Sequence, residues 1–195
     1  MNRLKYLAYI IGAVLLFSSF DIQKRAEALQ KAYEEKNYDA FVDAFPDKYE
    51  DFVNILGYDG ENDKLGLLYH GSEKYIDFLF DNEKVMEDNV LDKLLSLSYN
   101  FIWEADAVSF VIMRTMQLLV DYPQKMTEYF SKKTDEEVIS FIQMSLTCLL
   151  SDNPVYLSEY NRLIETYTAY SDRIVKLAKI AFKRAKQACD VLVVY

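Results

Sequence analysis

Apolar residues recur every three or four positions through most of this chain, and each such run marks one face of a helix. Residues 22–44 read as helical on Leu29, Ala32, Tyr33, Phe41 and Ala44, with Asn37 as the place where the helix breaks. Pro46 and Asp47 restart a short helix through Leu56, which Gly57 stops as a C′ glycine. Residues 57–71 hold four of the five glycines and make the longest loop. Ser72 caps a helix carrying Tyr75, Ile76, Leu79 and Phe80, and a further helix runs over 84–98. The segment 104–121 is apolar nearly all round (Val108, Phe110, Val111, Ile112, Met113, Met116, Leu118, Leu119), which predicts a central helix of a bundle. Pro123 follows its end. Thr134-Asp-Glu-Glu137 is a capping box that opens a helix to about Leu150. Asn153 and Pro154 open the last helix as N-cap and first-turn proline.

That last helix is the most regular. Tyr156, Tyr160, Leu163, Tyr167, Tyr170, Ile174, Leu177 and Ala181 alternate between spacings of four and three, a heptad seam. Such a seam packs on the protein's own core or offers a contact face to a partner; its tyrosines suit a half-wet contact, since each brings area and a hydroxyl. Val191–Tyr195 is the one strand-like run, and no repeat is present. The elements predict an all-α fold, a single-domain bundle of roughly six to eight helices.

The N-terminus has a different pattern. Arg3 and Lys5 precede Tyr6–Phe20, a run without charge. The run fits the apolar region of an export signal and is shorter than the roughly 20 residues of a spanning helix. Ala26-Glu27-Ala28 resembles a signal cleavage site, yet Asp21, Lys24 and Arg25 lie between it and the apolar run. The segment therefore reads as a cleaved signal or an uncleaved inner-membrane anchor, with residues 1–28 in that role and 29–195 as the helical domain. A buried first helix of a cytosolic protein is disfavoured by the basic start. No lipobox cysteine follows.

Composition narrows the functional classes. With 51% hydrophobic and 27% charged residues a packed core is available, and disorder is excluded as the main state. Five glycines and three prolines are too few for the many turns of a sandwich or barrel. The balance of 22 basic against 31 acidic residues, net −9, argues against nucleic acid as a partner. Residues 29–92 hold 17 acids and 6 bases, whereas 93–195 hold 12 of each. The acidic half is a solvated surface or steers the chain toward a basic partner. Residues 173–186 carry Arg173, Lys176, Lys179, Lys183, Arg184 and Lys186 with no acid. Those charges suit a helix C-terminus and can pair with the acidic half.

Catalytic and metal chemistry has little to stand on. His70 is the only histidine and lies in the glycine-bearing loop without an acid–base partner. Asp59-Gly-Glu61-Asn-Asp63 begins like a calcium loop, but its sixth position is Lys64 and its twelfth His70. Glu104 and Asp106 are two apart and do not share a helix face; a hydrolase would have to assemble distant acids. Cys148 and Cys189 could be joined in an exported protein, but spacing alone does not pair them. No nucleophile elbow, phosphate loop or dinucleotide fingerprint is present. No enzyme activity, metal or cofactor is expected.

A longer constellation spans residues 45–155. Phe45-Pro46-Asp47 is followed by Tyr49, Phe52, Gly57-Tyr58-Asp59, Leu68-Tyr69, Tyr75-Ile76 and Phe80. Trp103-Glu-Ala-Asp106-Ala107 and Thr134-Asp-Glu-Glu137-Val-Ile139-Ser-Phe141 come next, before Pro154. This resembles a family of small helical immunity proteins of Bacteroidetes-type bacteria, encoded beside type VI secretion toxins and in arrays of acquired defence genes. The stretch 147–154 departs from the pattern, lacking an aromatic- and glycine-bearing run before the proline. The resemblance implies an exported immunity protein that binds and neutralises a cognate toxin by occlusion. It supplies no catalytic residue. Trp103 reads as a core anchor and Asp106 as a backbone cap. Loops on a helical scaffold carry recognition, so the candidate partner-binding residues are Asp59, Glu61, Asp63, Tyr69, His70 and Glu104. The competing reading is a membrane-anchored periplasmic scaffold or chaperone-like binder.

Overall fold

The computed structural model describes residues 21–99, 101, 107–146 and 154–192, with side chains in the last segment over 157–187. Helix α1 covers residues 21–34 and ends where Lys36 takes a φ of 55°. Its stripe of Ala26, Leu29 and Ala32 is buried. Arg25 donates from the same helix to Asp47 at 3.2 Å and to Asp51 at 2.9 Å. The domain boundary expected at 28/29 therefore falls inside α1. Asn37, expected as a breaker, caps α2 (Tyr38–Ala44) by accepting from the Ala40 amide at 3.1 Å.

Local details correct the sequence reading in several places. Helix α3 spans Tyr49–Leu56, later than Pro46. Gly57 ends it in extended backbone (φ −97°, ψ −168°), not the left-handed C′ conformation; a side chain there would meet the Val53 Cα at 2.9 Å. Residues 57–71 contain an unforeseen antiparallel pair, β1 (Tyr58–Asp59) and β2 (Lys64–Leu65), with Tyr58 opposite Leu65. Helix α4 is Ser72–Phe80, capped by left-handed Gly71 (φ 87°), so Ser72 is its first residue rather than its cap. A 3-10 turn, Glu83–Met86, leads into α5 (Asp88–Ser98). Helix α6 is Ala107–Asp121. Pro123 does more than follow it: it opens α7 (Pro123–Ser131), a helix missed in the sequence, which buries Met126, Tyr129 and Phe130. The capping box at α8 (Asp135–Leu146) forms as expected. The Thr134 amide donates to Glu137 Oε2 at 2.7 Å, and the Glu137 amide to Thr134 Oγ1 at 3.3 Å.

The heptad seam is not one helix. Helix α9 (Pro154–Thr168) stops where the Tyr170 and Ser171 amides donate to the Tyr167 carbonyl at 3.0 and 2.9 Å. Ser171 then caps α10 (Asp172–Leu192), its hydroxyl accepting from the Ile174 amide. Tyr160 stacks on Phe182 with ring centroids 4.0 Å apart, and the two residues are equally far from Ser171. The helices thus fold back as an antiparallel hairpin. Leu163, Tyr167, Ile174, Leu177 and Ala181 are all buried within the fold, while Tyr170 at the bend is 49% exposed. Residues 191–192 are helical, not strand.

The result is an all-α bundle with one two-residue strand pair among the described residues. Helix α6 packs against α4, α7, α8 and α9, yet leaves Met113 54% exposed. The fuller centre is α8, which is clasped by α5, α6 and α10 and buries Val138, Ile139, Phe141, Ile142, Met144 and Leu146. Polar links tie the layers. Tyr38 donates to the Leu79 carbonyl at 2.8 Å, and Lys93 to the Phe45 carbonyl at 2.8 Å, where burial pushes its ammonium pKa down. Among the described residues no helix is long and apolar enough to cross a membrane.

Candidate protein-docking site

The 57–71 loop is held rigidly by main-chain bonds to α3. The Gly66 amide donates to Gly57 O at 2.8 Å, Leu67 to Asn54 O at 3.0 Å, and Leu68 to Ile55 O at 2.6 Å. This close approach requires glycine at 66. A Cβ there would sit 2.7 Å from Val53 O, 2.8 Å from the Ile55 carbonyl carbon and 2.9 Å from Gly57 O, all backbone atoms.

The acids at the tip divide into builders and free charges. Asp59 accepts from the Glu61 and Asn62 amides at 3.1 Å each and from Asn62 Nδ2 at 2.7 Å. Those bonds, led by the Asn62 side chain, hold its carboxyl below the usual range. Asp63 takes a left-handed φ of 49° and accepts from the Tyr58 hydroxyl at 2.8 Å. Both are therefore structural as well as charged. Glu61 and Lys64 point outward at the turn. Tyr69 is half-buried and meets the exposed His70 ring edge-on at 5.5 Å. No carboxylate bonds His70 among the described residues.

The sequence reading missed two other residues of this loop. Leu65 and Leu67 are 45% and 49% exposed, while Leu68 between Leu67 and Tyr69 turns inward to pack on the core. The signal was an alternating Leu65, Leu67 pair inside an otherwise polar loop. Leu65 and Leu67 thus expose apolar surface on the same loop that carries Asp59, Glu61 and Asp63, and protein contacts combine an apolar centre with a polar rim. Glu104, the remaining candidate, lies outside the described residues, as do Trp103, Asp106 and Cys148; the side chain of Cys189 does too.

Two open grooves lie elsewhere, of about 630 and 400 Å³, and share Asp81 and Asn82. The larger is walled by Phe80, Arg114 and Tyr122, and Arg114 is already bonded to Asp81. In the smaller, Lys36 lies 4.1 Å over the Tyr33 ring. Arg114, Asp81 and Lys36 are thus engaged within the fold, while Glu83 in the larger groove and Asp77 in the smaller form no ion pair among the described residues. No group of three metal-ligating side chains occurs among the described residues.

Pairing of the 173–186 bases with the acidic half, one of the two roles open to them in the sequence, is not seen among the described residues. Arg173 bonds Asp135 at 2.8 Å and the carbonyls of Phe130 and Lys133 at 2.8 and 2.9 Å, and Arg184 bonds Glu136. Within the acidic half, Arg25 answers Asp47 and Asp51, and Lys84 answers Asp39 at 2.7 Å. Arg114, Lys132 and Lys133 from later in the chain pair with Asp81, Asp88 and Asp92, and acids such as Glu50, Glu61, Glu73 and Glu83 are exposed with no ion pair among the described residues. No family model, no curated protein and no solved structure matches the chain.

Proposed function

We propose that this protein is a non-catalytic binding module that neutralises a cognate toxin by occlusion, docking through the 57–71 loop. The observation that carries the reading is the clamped hairpin with Leu65 and Leu67 exposed on the loop that carries Asp59, Glu61 and Asp63. A preformed loop costs little ordering entropy on binding. The leucines would fill apolar ground on the partner, and the acidic half would steer approach to a basic surface. The resemblance of the Trp103–Ala107 and Thr134–Phe141 motifs to immunity proteins gives the partner its class.

The test is capture of secreted proteins from the source organism by the full chain and by the Leu65→Asp/Leu67→Asp double variant. Each captured protein is then expressed in cells with and without the chain. A lethal partner that wild type neutralises and the variant does not would support the reading. Association should slow as salt rises. Equal capture by both chains moves the contact off the loop. Capture of many envelope proteins, none lethal, favours an anchored scaffold. That second reading is supported by α1, whose residues 21–28 are built into the core rather than separated from it.

A further inference from the structure

Helix α1 ends on a lysine where the backbone favours glycine. The Lys36 amide donates to the Tyr33 carbonyl and the Asn37 amide to the Ala32 carbonyl, the paired bonds of a left-handed C′ position. At its φ of 55° a lysine is strained where glycine is not. The turn brings the Lys36 ammonium to 4.1 Å from the Tyr33 ring centre and 5.4 Å from that of Phe78. Lys74, in the first turn of α4, lines the same groove and lies 5.4 Å over Tyr33. Both lysines are exposed, and neither forms an ion pair among the described residues, although Asp77 lines the groove with them. Two like charges thus share one ring with no counter-ion between them.

The adjoining groove has the opposite sign. Helix α4 ends at its cap Asp81 and α6 at Asp121, and neither has a base in its last turn. Acids there stand against the helix macrodipole, which favours cations at a C-terminus. Arg114 answers Asp81, but Arg162 reaches Asp121 only at 3.6 Å, with both side chains about half exposed. Glu83 and the open Tyr122 ring line this groove as well. Carboxylates with an aromatic ring suit an organic cation, and Arg114 already takes that form, bonding Asp81 while lying 5.6 Å over Phe80. The grooves meet at Asp81 and Asn82, so they make one trough with a basic and an acidic end. Lys74 to Asp81 covers about 10 Å along α4, and Arg114 to Asp121 about 10 Å along α6, lengths that an extended chain spans in a few residues. The trough also continues from the docking loop. Helix α4 follows Gly71 directly, and Lys74 Cε lies 3.8 Å from where a Gly71 side chain would begin.

We propose that this trough seats an extended segment of the protein partner, its acidic side chains on Lys36 and Lys74 and its basic ones on Glu83, Asp121 and Tyr122. The inference rests on the docking reading above only for the partner's being a protein. Three capped peptides of about eight residues, otherwise serine and glycine, are titrated into the full chain. One carries two glutamates at one end and two arginines at the other, one carries four glutamates, and one four arginines. At physiological salt the mixed peptide should bind roughly tenfold more tightly than either single-sign peptide. In K36E/K74E the four-arginine peptide should become the tightest. Lys36→Gly should weaken the mixed peptide while raising the urea midpoint, because glycine relieves the strain. A midpoint lowered by Lys36→Gly would make Lys36 a structural residue and overturn the proposal. Equal binding of the three peptides, or a four-arginine peptide that ranks first on wild type, overturns it in favour of general attraction to an acidic chain. An unchanged ranking in K36E/K74E overturns it by placing the contact elsewhere. Leu65→Asp/Leu67→Asp should leave the peptide ranking as it is, so the toxin reading, tested by capture with that variant, survives or fails separately.

Discussion

Gly66 stands where three backbone atoms leave no room for a side chain. Gly66→Ala should push the loop off α3 and cost about 1–3 kcal/mol, read as a lower urea midpoint; an unchanged midpoint would mean that the loop is not clamped. Asp92 is a second residue with a definite consequence. It accepts from Tyr129 at 2.7 Å and from Lys133. Burial pushes its carboxyl up, but those two partners outweigh it and hold the pKa below the usual range. A depressed folded value stabilises above the ordinary carboxylate range, and that stability is lost as pH falls through the folded value. Asp92→Asn should therefore cost about 1 kcal/mol at neutral pH, a modest figure because the site is half-exposed. The gap from wild type should narrow in acid unfolding curves as pH falls through the depressed folded value; a gap constant with pH would assign the loss to packing alone.

At the scale of elements, Arg173 is the latch between the last helix and the body. It satisfies the Phe130 and Lys133 carbonyls at the end of α7 while bonding Asp135 at the start of α8. Arg173→Ala should lower stability by about 1–2 kcal/mol without changing the denaturant slope. A change in slope would show that α10 detaches on its own. The caps and apolar stripes that set most helices were legible because they are local: Asn37 and Thr134–Glu137 act within one turn. The seam from Tyr160 to Ala181 was legible as a buried face but not as a hairpin. Its spacing is the same whether the helix runs straight or folds back at Ser171 to zip on itself. The strand pair was illegible for the opposite reason. The return of Gly66, Leu67 and Leu68 onto the backbone of residues 53–57 helps order residues 57–71, and nothing in the loop's own composition announces it. Asp59 and Asp63 were read for charge and for ligand spacing, which hid their part in building the turn and drew attention away from Leu65 and Leu67.

At the scale of the whole molecule, residues 21–28 of α1 belong to the folded unit. Ala26 is 2% exposed, and Arg25 bridges two carboxylates from α1. A chain of residues 29–195 should be less stable than one of 21–195 by about 2–4 kcal/mol, measured by urea unfolding. Equal stability would leave cleavage after Ala28 structurally free. The placement of α8 has a consequence of another kind, in time rather than space. Its neighbours α5 and α6 precede it in the chain, but α10 comes last and covers its remaining side. During synthesis, then, the middle of the core waits uncovered until the final fifth of the chain has been made. A ribosome that stops after α9 releases a product with a bare apolar groove along α8, fit for chaperones or proteases.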